Sequence, residues 1–256
     1  MNMNECRLTC GKFGVLWPKP NHVEMGKKVV HFVPKDLHFK LPATQQEVAT
    51  LLGKGIEVFV ENLMRNHPRF DAEAPSRRNS DFLFASRAAT HDVIVTINVT
   101  EQRPTYLTLN TSVEAYKLQV NSPAPHNSIL VNIEAESYFG IRNGLETLSQ
   151  LIAYDDAENN LMIVNHASIT DEPAYAYRGL LLDTSRNYIS IKEIKHQLDA
   201  MAASKLNTFH WHITDSHSFP MQLQSLPEMS AYGAYEPHKI YTAADIKDVS
   251  AMMFYG

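Results

Sequence analysis

The segment that begins at Pro173 constrains this chain more than any other, because it alternates strand, helix, strand and helix patterns, an order that argues for parallel βα units. Arg178-Gly179-Leu180-Leu181-Leu182-Asp183 carries the near-continuous apolar run of a strand covered on both faces. Ser190 and Glu193 have the spacing of a capping box, and Ile191, Ile194, Leu198 and Met201 then line one face of a helix ending near Ser204. Thr208 to Thr214 reads as the next strand. Thr242 and Asp245 open a further helix carrying Ile246, Val249 and Met252. No third strand of this kind follows, so the chain is expected to stop two βα units into such a fold.

Upstream of Pro173 the pattern is mixed α+β. A helix is expected from about Gln45 to Arg65, opened by a Thr44/Glu47 capping box and lined by Val48, Leu52, Ile56, Phe59 and Leu63, with Gly53 and Gly55 weakening its middle. Strands are expected at Val93 to Val99, Tyr106 to Leu109, Ala115 to Val120 and Ile129 to Ala135, separated by Pro, Asn and Ser. A second helix, about Phe139 to Tyr154, buries Ile141, Leu145, Leu148 and Leu151, and Leu161 to Ile169 reads as one strand leading into Thr170-Asp171-Glu172-Pro173. No internal repeat interrupts this division into an α+β domain, 14–172, and an α/β domain, 173–256.

With 44% apolar residues in 256, the chain can build a substantial core. Its net charge of −5 and the lack of any Lys/Arg cluster argue against nucleic acid as a partner. No apolar run is long enough for a membrane span, and Met1 to Cys10 is too polar for a signal peptide. Two features nevertheless fit an oxidising compartment. Cys6 and Cys10 are close enough for a local disulfide, although two free thiols fit equally well. Asn98-Val99-Thr100 and Asn110-Thr111-Ser112 are glycosylation sequons. The full-length protein is expected to be secreted, extracellular or lysosomal.

In parallel α/β folds chemistry gathers where strands end and βα loops begin. The first strand ends in Asp183-Thr184-Ser185-Arg186-Asn187-Tyr188 and the second in Thr214-Asp215-Ser216-His217-Ser218-Phe219-Pro220. Arg186 can fork onto hydroxyls or a carboxylate, and Asp215 can orient a base or accept from a ligand; a structural Arg–Asp pair fits the same spacing. His210 and His212 share one face of the second strand, with Trp211 on the other, so a metal-dependent hydrolase using this pair stands as an alternative. A metal site would need a third ligand; histidines hydrogen-bonded inside the fold are the plainer reading.

These residues carry a resemblance. The run from Arg178 through Tyr188, continuing from Leu198-Asp-Ala-Met-Ala-Ala-Ser-Lys-Leu-Asn-Thr-Phe-His-Trp-His-Ile-Thr-Asp215 to Ser218-Phe-Pro220, closely resembles the β-N-acetylhexosaminidases of glycoside hydrolase family twenty. Phe139-Gly140-Ile-Arg-Asn-Gly144-Leu-Glu-Thr-Leu-Ser-Gln-Leu151 resembles the helix closing that family's accessory domain, and Leu16-Trp17-Pro18 resembles its first strand. Asn187, Tyr188 and Ser216 look more like the insect chitin-degrading or N-glycan-processing members.

The resemblance implies an α+β accessory domain before the first two βα units of a (β/α)₈ TIM barrel. It implies exo-hydrolysis of terminal GlcNAc or GalNAc from chitooligosaccharides or glycoconjugates, with retention of configuration, no cofactor and no metal. In it Arg186 matches the arginine that grips the sugar 3- and 4-hydroxyls, and Asp215 the carboxylate that supports the general acid through a histidine. The substrate's own acetamido oxygen attacks, helped by an Asp-Glu pair after the fourth strand. That pair is not among these residues, so the chain by itself is expected to be inactive and to leave apolar strand surface exposed; a noncatalytic truncated isoform that binds glycan or pairs with a full-length subunit stands as an alternative. A homodimer is expected of the full-length protein.

Overall fold

The computed structural model describes residues 3–12, 14–65, 91–101, 110–123, 128–155 and 160–255. The chain divides into two compact units, Met1–Ala176 and Tyr177–Gly256. The first holds helices α1 Met3–Thr9, α2 Gln46–Arg65 and α3 Tyr138–Gln150. Its strands are β1 His22–Met25, β2 Val29–Phe32, β3 Leu37–Lys40, β4 Asp92–Val99, β5 Tyr116–Asn121, β6 Ser128–Ala135, β7 Ile152–Asp155, β8 Asn160–Val164 and β9 His166–Asp171. The strand expected from Tyr106 to Leu109 lies outside the described residues.

The main sheet runs in the order β1-β9-β5-β6-β4-β3, with β3 and β6 parallel to β4 and the pairs β6/β5, β5/β9 and β9/β1 antiparallel. Period-two alternation decides which face is core. Val93, Val95, Ile97 and Val99 of β4, Tyr116, Leu118 and Val120 of β5, and Ile129, Val131 and Ile133 of β6 are all buried on one face. α3 packs on that face and α2 packs on α3, burying Val48, Leu52, Phe59 and Leu63 as expected. Each such side chain contributes about 1.5–3 kcal/mol by leaving water. Gly140 and Gly144 let α3 come close: a Cβ built at Gly140 would lie 2.3 Å from the Ala115 carbonyl oxygen.

Four local expectations are corrected. Thr44 does not cap α2, which starts at Gln46; the Thr44 hydroxyl is buried without a hydrogen-bond partner, one residue too early for the first turn. α3 stops at Gln150, not Tyr154, because Ile152–Asp155 pairs with β8, and strand pairing suits Ile152 and Tyr154 better than a further helical turn. The stretch expected as one strand, Leu161 to Ile169, is two, divided at Asn165, with β8 in a three-stranded sheet β2-β8-β7 and β9 in the main sheet. Asn165 accepts a hydrogen bond from the Ser122 N–H and donates to the Lys28 carbonyl, so long-range partners hold the break. Finally, Leu16-Trp17-Pro18 forms no strand; Pro18 and Pro20 lack the N–H a ladder needs, and the Gln150 amide instead clamps both backbone groups of Trp17 at 2.8 and 2.7 Å.

The second unit holds β10 Gly179–Asp183 and β11 Thr208–His212, a parallel pair joined through α4 Ile191–Ala203, followed by α5 Glu228–Gly233 and α6 Ala243–Tyr255. Ser190 caps α4 by accepting the Glu193 N–H, and Thr242 and Asp245 cap each other reciprocally at α6. Ile194, Leu198, Met201, Tyr241 and Val249 form the buried core, with Leu180, Leu182 and Trp211 packed against it. Leu181 points to the other face and is 55% exposed, so β10 is covered on one face and not on two. α4 and α6 pack on the Leu180 and Leu182 side. Among the described residues no helix is long and apolar enough to cross a membrane.

Candidate active site

Because β10 and β11 are parallel and in register, with Asp183 opposite His212, the loops that follow them leave the same edge of the pair. Each loop brings up one charged group at the same interval, Arg186 after Asp183 and Asp215 after His212. Buried hydrogen bonds hold the two loops together. The Thr184 N–H extends the ladder to the His212 carbonyl at 3.0 Å, and the Trp211 indole N–H donates to the Thr184 hydroxyl at 2.8 Å. The fully buried Ser185 hydroxyl donates to the Ser218 carbonyl at 2.7 Å. β11 ends at His212 and not Thr214 because Asp215 and Ser218 close a turn on each other, N–H to carbonyl in both directions.

Arg186 is held between two carboxylates. Its Nη1 donates to Asp183 Oδ2 and its Nη2 to Asp215 Oδ2 at 2.7 Å. Asp183 Oδ1 meanwhile accepts the backbone N–H groups of Ser185 at 3.0 Å and Arg186 at 3.2 Å, an Asx turn that fixes where the arginine leaves the strand. The Arg186 N–H, first, and then its guanidinium hold the Asp183 carboxyl below the usual carboxylate range. Asp183 and Asp215 in return push the Arg186 guanidinium up. Its side chain stays 47% exposed while two anions orient the guanidinium, which has five N–H groups to offer.

Asp215 is the most heavily contacted carboxylate of this unit. Oδ1 accepts the Ser216 hydroxyl at 2.9 Å and His217 Nδ1 at 3.2 Å, while Oδ2 takes His212 Nε2 at 3.1 Å besides Arg186. The Ser216 hydroxyl, then His217, His212 and Arg186, hold its carboxyl well below the usual carboxylate range, so it is an anion at any physiological pH. A fixed anion of this kind can orient an imidazole. The clamped, planar guanidinium beside it suits two adjacent hydroxyls.

The structure thus brings together the two residues singled out in the sequence, Arg186 and Asp215. His210 and His212 do share a face, their rings 6.3 Å apart and nearly parallel, but His212 is hydrogen-bonded to Asp215. Among the described residues no three His, Cys, Asp or Glu side chains gather to hold a metal ion. Sequence reasoning gave no role to Asp183, or to His212 and His217 as partners of Asp215. A carboxylate ending a core strand ahead of Thr-Ser-Arg is an Asx-turn signal that could have found Asp183. Away from this site, Cys6 of α1 forms a disulfide with Cys10 just past its end, and Asn98 and Asn110 are both exposed.

Residues 16–151 match the family model described as beta-acetyl hexosaminidase like, and residues 175–253 match that of glycosyl hydrolase family 20, catalytic domain. The chitooligosaccharidolytic beta-N-acetylglucosaminidase of Bombyx mori is 39% identical over 97% of this chain and 39% of its own length. The protein of the same name from Ostrinia furnacalis is 36% identical, again over 97% of this chain and 39% of its own length. The chain therefore spans about two fifths of these curated relatives. Among solved structures, a GH20 exo beta-N-acetylglucosaminidase from Vibrio harveyi, in complex with N-acetylglucosamine, superposes with a TM-score of 0.66 at 26% identity, covering 94% of this chain and 34% of that one. The likeness in fold identifies the two βα units as belonging to a TIM barrel behind an α+β unit.

Proposed function

Since this chain belongs to glycosyl hydrolase family 20, the β-N-acetylhexosaminidase family, we propose that its full-length protein removes terminal β-linked GlcNAc or GalNAc from the non-reducing ends of oligosaccharides. The observation that carries this reading is Arg186 clamped by Asp183 and Asp215 at the ends of two parallel strands, with donors left over for a ligand. In this reading Arg186 grips the sugar 3- and 4-hydroxyls and Asp215 supports the general acid through a histidine. The acetamido oxygen of the substrate attacks the anomeric carbon, so configuration is retained without a protein nucleophile. The names of the Bombyx mori and Ostrinia furnacalis relatives favour chitooligosaccharides over glycoprotein glycans as the substrate.

Residues 14–172 form the accessory domain and 173–256 the start of the catalytic barrel, a division supported by the ranges of the two family models. Release of 4-methylumbelliferone from its β-GlcNAc glycoside tests the assignment. In this reading the proton-transfer groups, which contribute about 10²–10⁴-fold, come from a later strand, so the expected result is turnover by a version carried through to the length of the curated relatives and none by these 256 residues alone. Turnover by the short chain, abolished by Asp215→Asn, would instead place the catalytic acid among the residues present.

The full-length protein passes through the secretory pathway and acts there or outside the cell, as a homodimer. The Cys6–Cys10 disulfide and the exposure of both sequon asparagines support an oxidising compartment with N-glycans at Asn98 and Asn110. Enzymatic deglycosylation of protein from eukaryotic secretion is expected to convert both asparagines to aspartate, read by peptide mass. Two unmodified asparagines would overturn the glycosylation sites.

A further inference from the structure

The loop that carries Arg186 runs from the end of β10 to Ser190, the cap of α4, and its far end is held at Ile189 by a single side chain. Tyr241, fully buried, donates its hydroxyl hydrogen to the Ile189 carbonyl at 2.6 Å, and the same oxygen accepts the Ile189 N–H at 3.1 Å. The Tyr241 backbone holds the other loop. Its N–H donates to the Pro220 carbonyl at 2.8 Å and its carbonyl accepts the Gln222 N–H at 2.9 Å, just beyond the Asp215–Ser218 turn. Its ring stacks on Tyr188 at 4.9 Å and stands edge-on to Trp211 at 5.0 Å, and Trp211 in turn donates to Thr184 at the start of the Arg186 loop.

One residue therefore pins both loops of the site. We infer that Tyr241 is a positioning residue for Arg186, fixing the loop through Ile189 so that the guanidinium meets the sugar hydroxyls without a search over loop conformations. The inference rests on the sugar-gripping role given to Arg186 above. A phenol suits the task because it donates and accepts at one atom and carries no charge into the core. Burial pushes its ionisation up, so the donated hydrogen stays in place. Oriented binding groups lose their effect when their support loosens by even a fraction of an ångström.

The test is Tyr241→Phe in the version carried through to the length of the curated relatives; this change keeps the ring and removes only the hydroxyl. KM for the β-GlcNAc glycoside is expected to rise about tenfold with kcat changed less than about threefold, because Arg186 binds ground state and transition state alike. In an Arg186→Ala background the same substitution should move KM by less than about twofold, since its effect passes through the arginine. Ile194→Val, a core change that also lowers stability, should leave KM unchanged.

A KM increase no larger than that of Ile194→Val, or one undiminished in the Arg186→Ala background, would overturn the inference. If Arg186→Ala itself leaves KM unchanged, the sugar-gripping assignment fails, and amide exchange still decides the clamp. In the unsubstituted protein the Ile189 amide should exchange as slowly as interior amides of α4, and exchange at the rate of an open loop would show that no clamp exists. That measurement also serves if Tyr241→Phe fails to accumulate.

Discussion

Alanine at Gly140 is expected to destabilise the first unit by about 3 kcal/mol or more, the upper end for an overpacked core. The added methyl would lie 2.3 Å from the Ala115 carbonyl oxygen and 2.6 Å from Ala135 Cβ, and neither atom is the far end of a flexible side chain. Relief would require lifting α3 off the sheet and opening contacts along its buried face, among them those of Ile141, Leu145 and Leu148. Gly144→Ala should cost less, because its built Cβ meets one atom closer than 3 Å, the Cγ2 methyl of Ile133 at 2.6 Å, and no backbone atom. Gly53→Ala is the opposite case. Nothing lies within 4 Å of its built Cβ, so alanine should stabilise α2 by about 0.5–1 kcal/mol through helix propensity alone. Thermal unfolding followed by circular dichroism orders the three, and an unchanged Tm for Gly140→Ala would mean that α3 does not sit as close to the sheet as described.

Asp215→Asn in the extended enzyme is expected to lower kcat/KM by about 10²–10³-fold, the range for losing one well-placed electrostatic group in an active site. Asparagine keeps the shape but removes the anion that receives Ser216, His217, His212 and Arg186 together. Its amide group would also turn a donor toward at least one of those donors. The pH dependence follows from the direction of the Asp215 shift. Its carboxyl is held well below the ordinary carboxylate range, so its favourable contribution is complete above the unfolded value of about 4 and is lost only as the pH falls through the lower folded value. Between pH 5 and 8 Asp215 does not titrate, and the wild-type enzyme should show no activity limb belonging to it. An acid limb in that range that disappears in Asp215→Asn would contradict this assignment.

Much of the architecture could be read from residue spacing alone. α2, α3 and α4 follow from apolar residues at helical intervals, and Val48, Leu52, Leu145, Leu148 and Leu198 are buried as that spacing requires. The switch near Pro173 to strand-helix-strand order marked the parallel β10/β11 pair, and strand ends pointed to Arg186 and Asp215. Periodicity describes one element's faces, and for α2, α3 and α4 those faces were correct, whereas the unbroken apolar run of β10 read as two covered faces and only the Leu180 and Leu182 face is covered.

Partners were a different matter, because a partner is distant in the chain and leaves no local trace. Ile152–Asp155 reads locally as more helix and became strand only because β8 stood ready to pair with it. Residues 161–169 read as one strand, and the separate pairings to β2 and β7 on one side of Asn165 and to β5 and β1 on the other divided them. At the site, His212 looked like half of a metal pair until the Asp215 turn placed a carboxylate 3.1 Å from its ring nitrogen. Residue spacing was enough to tell which helix faces turn inward and which charged groups stand at strand ends, since both depend on local backbone geometry. What those groups meet depended on long-range packing, because the hydrogen bonds that hold the two loops together join residues brought near by the parallel pairing of β10 and β11 and by Tyr241, far along the chain from the first loop.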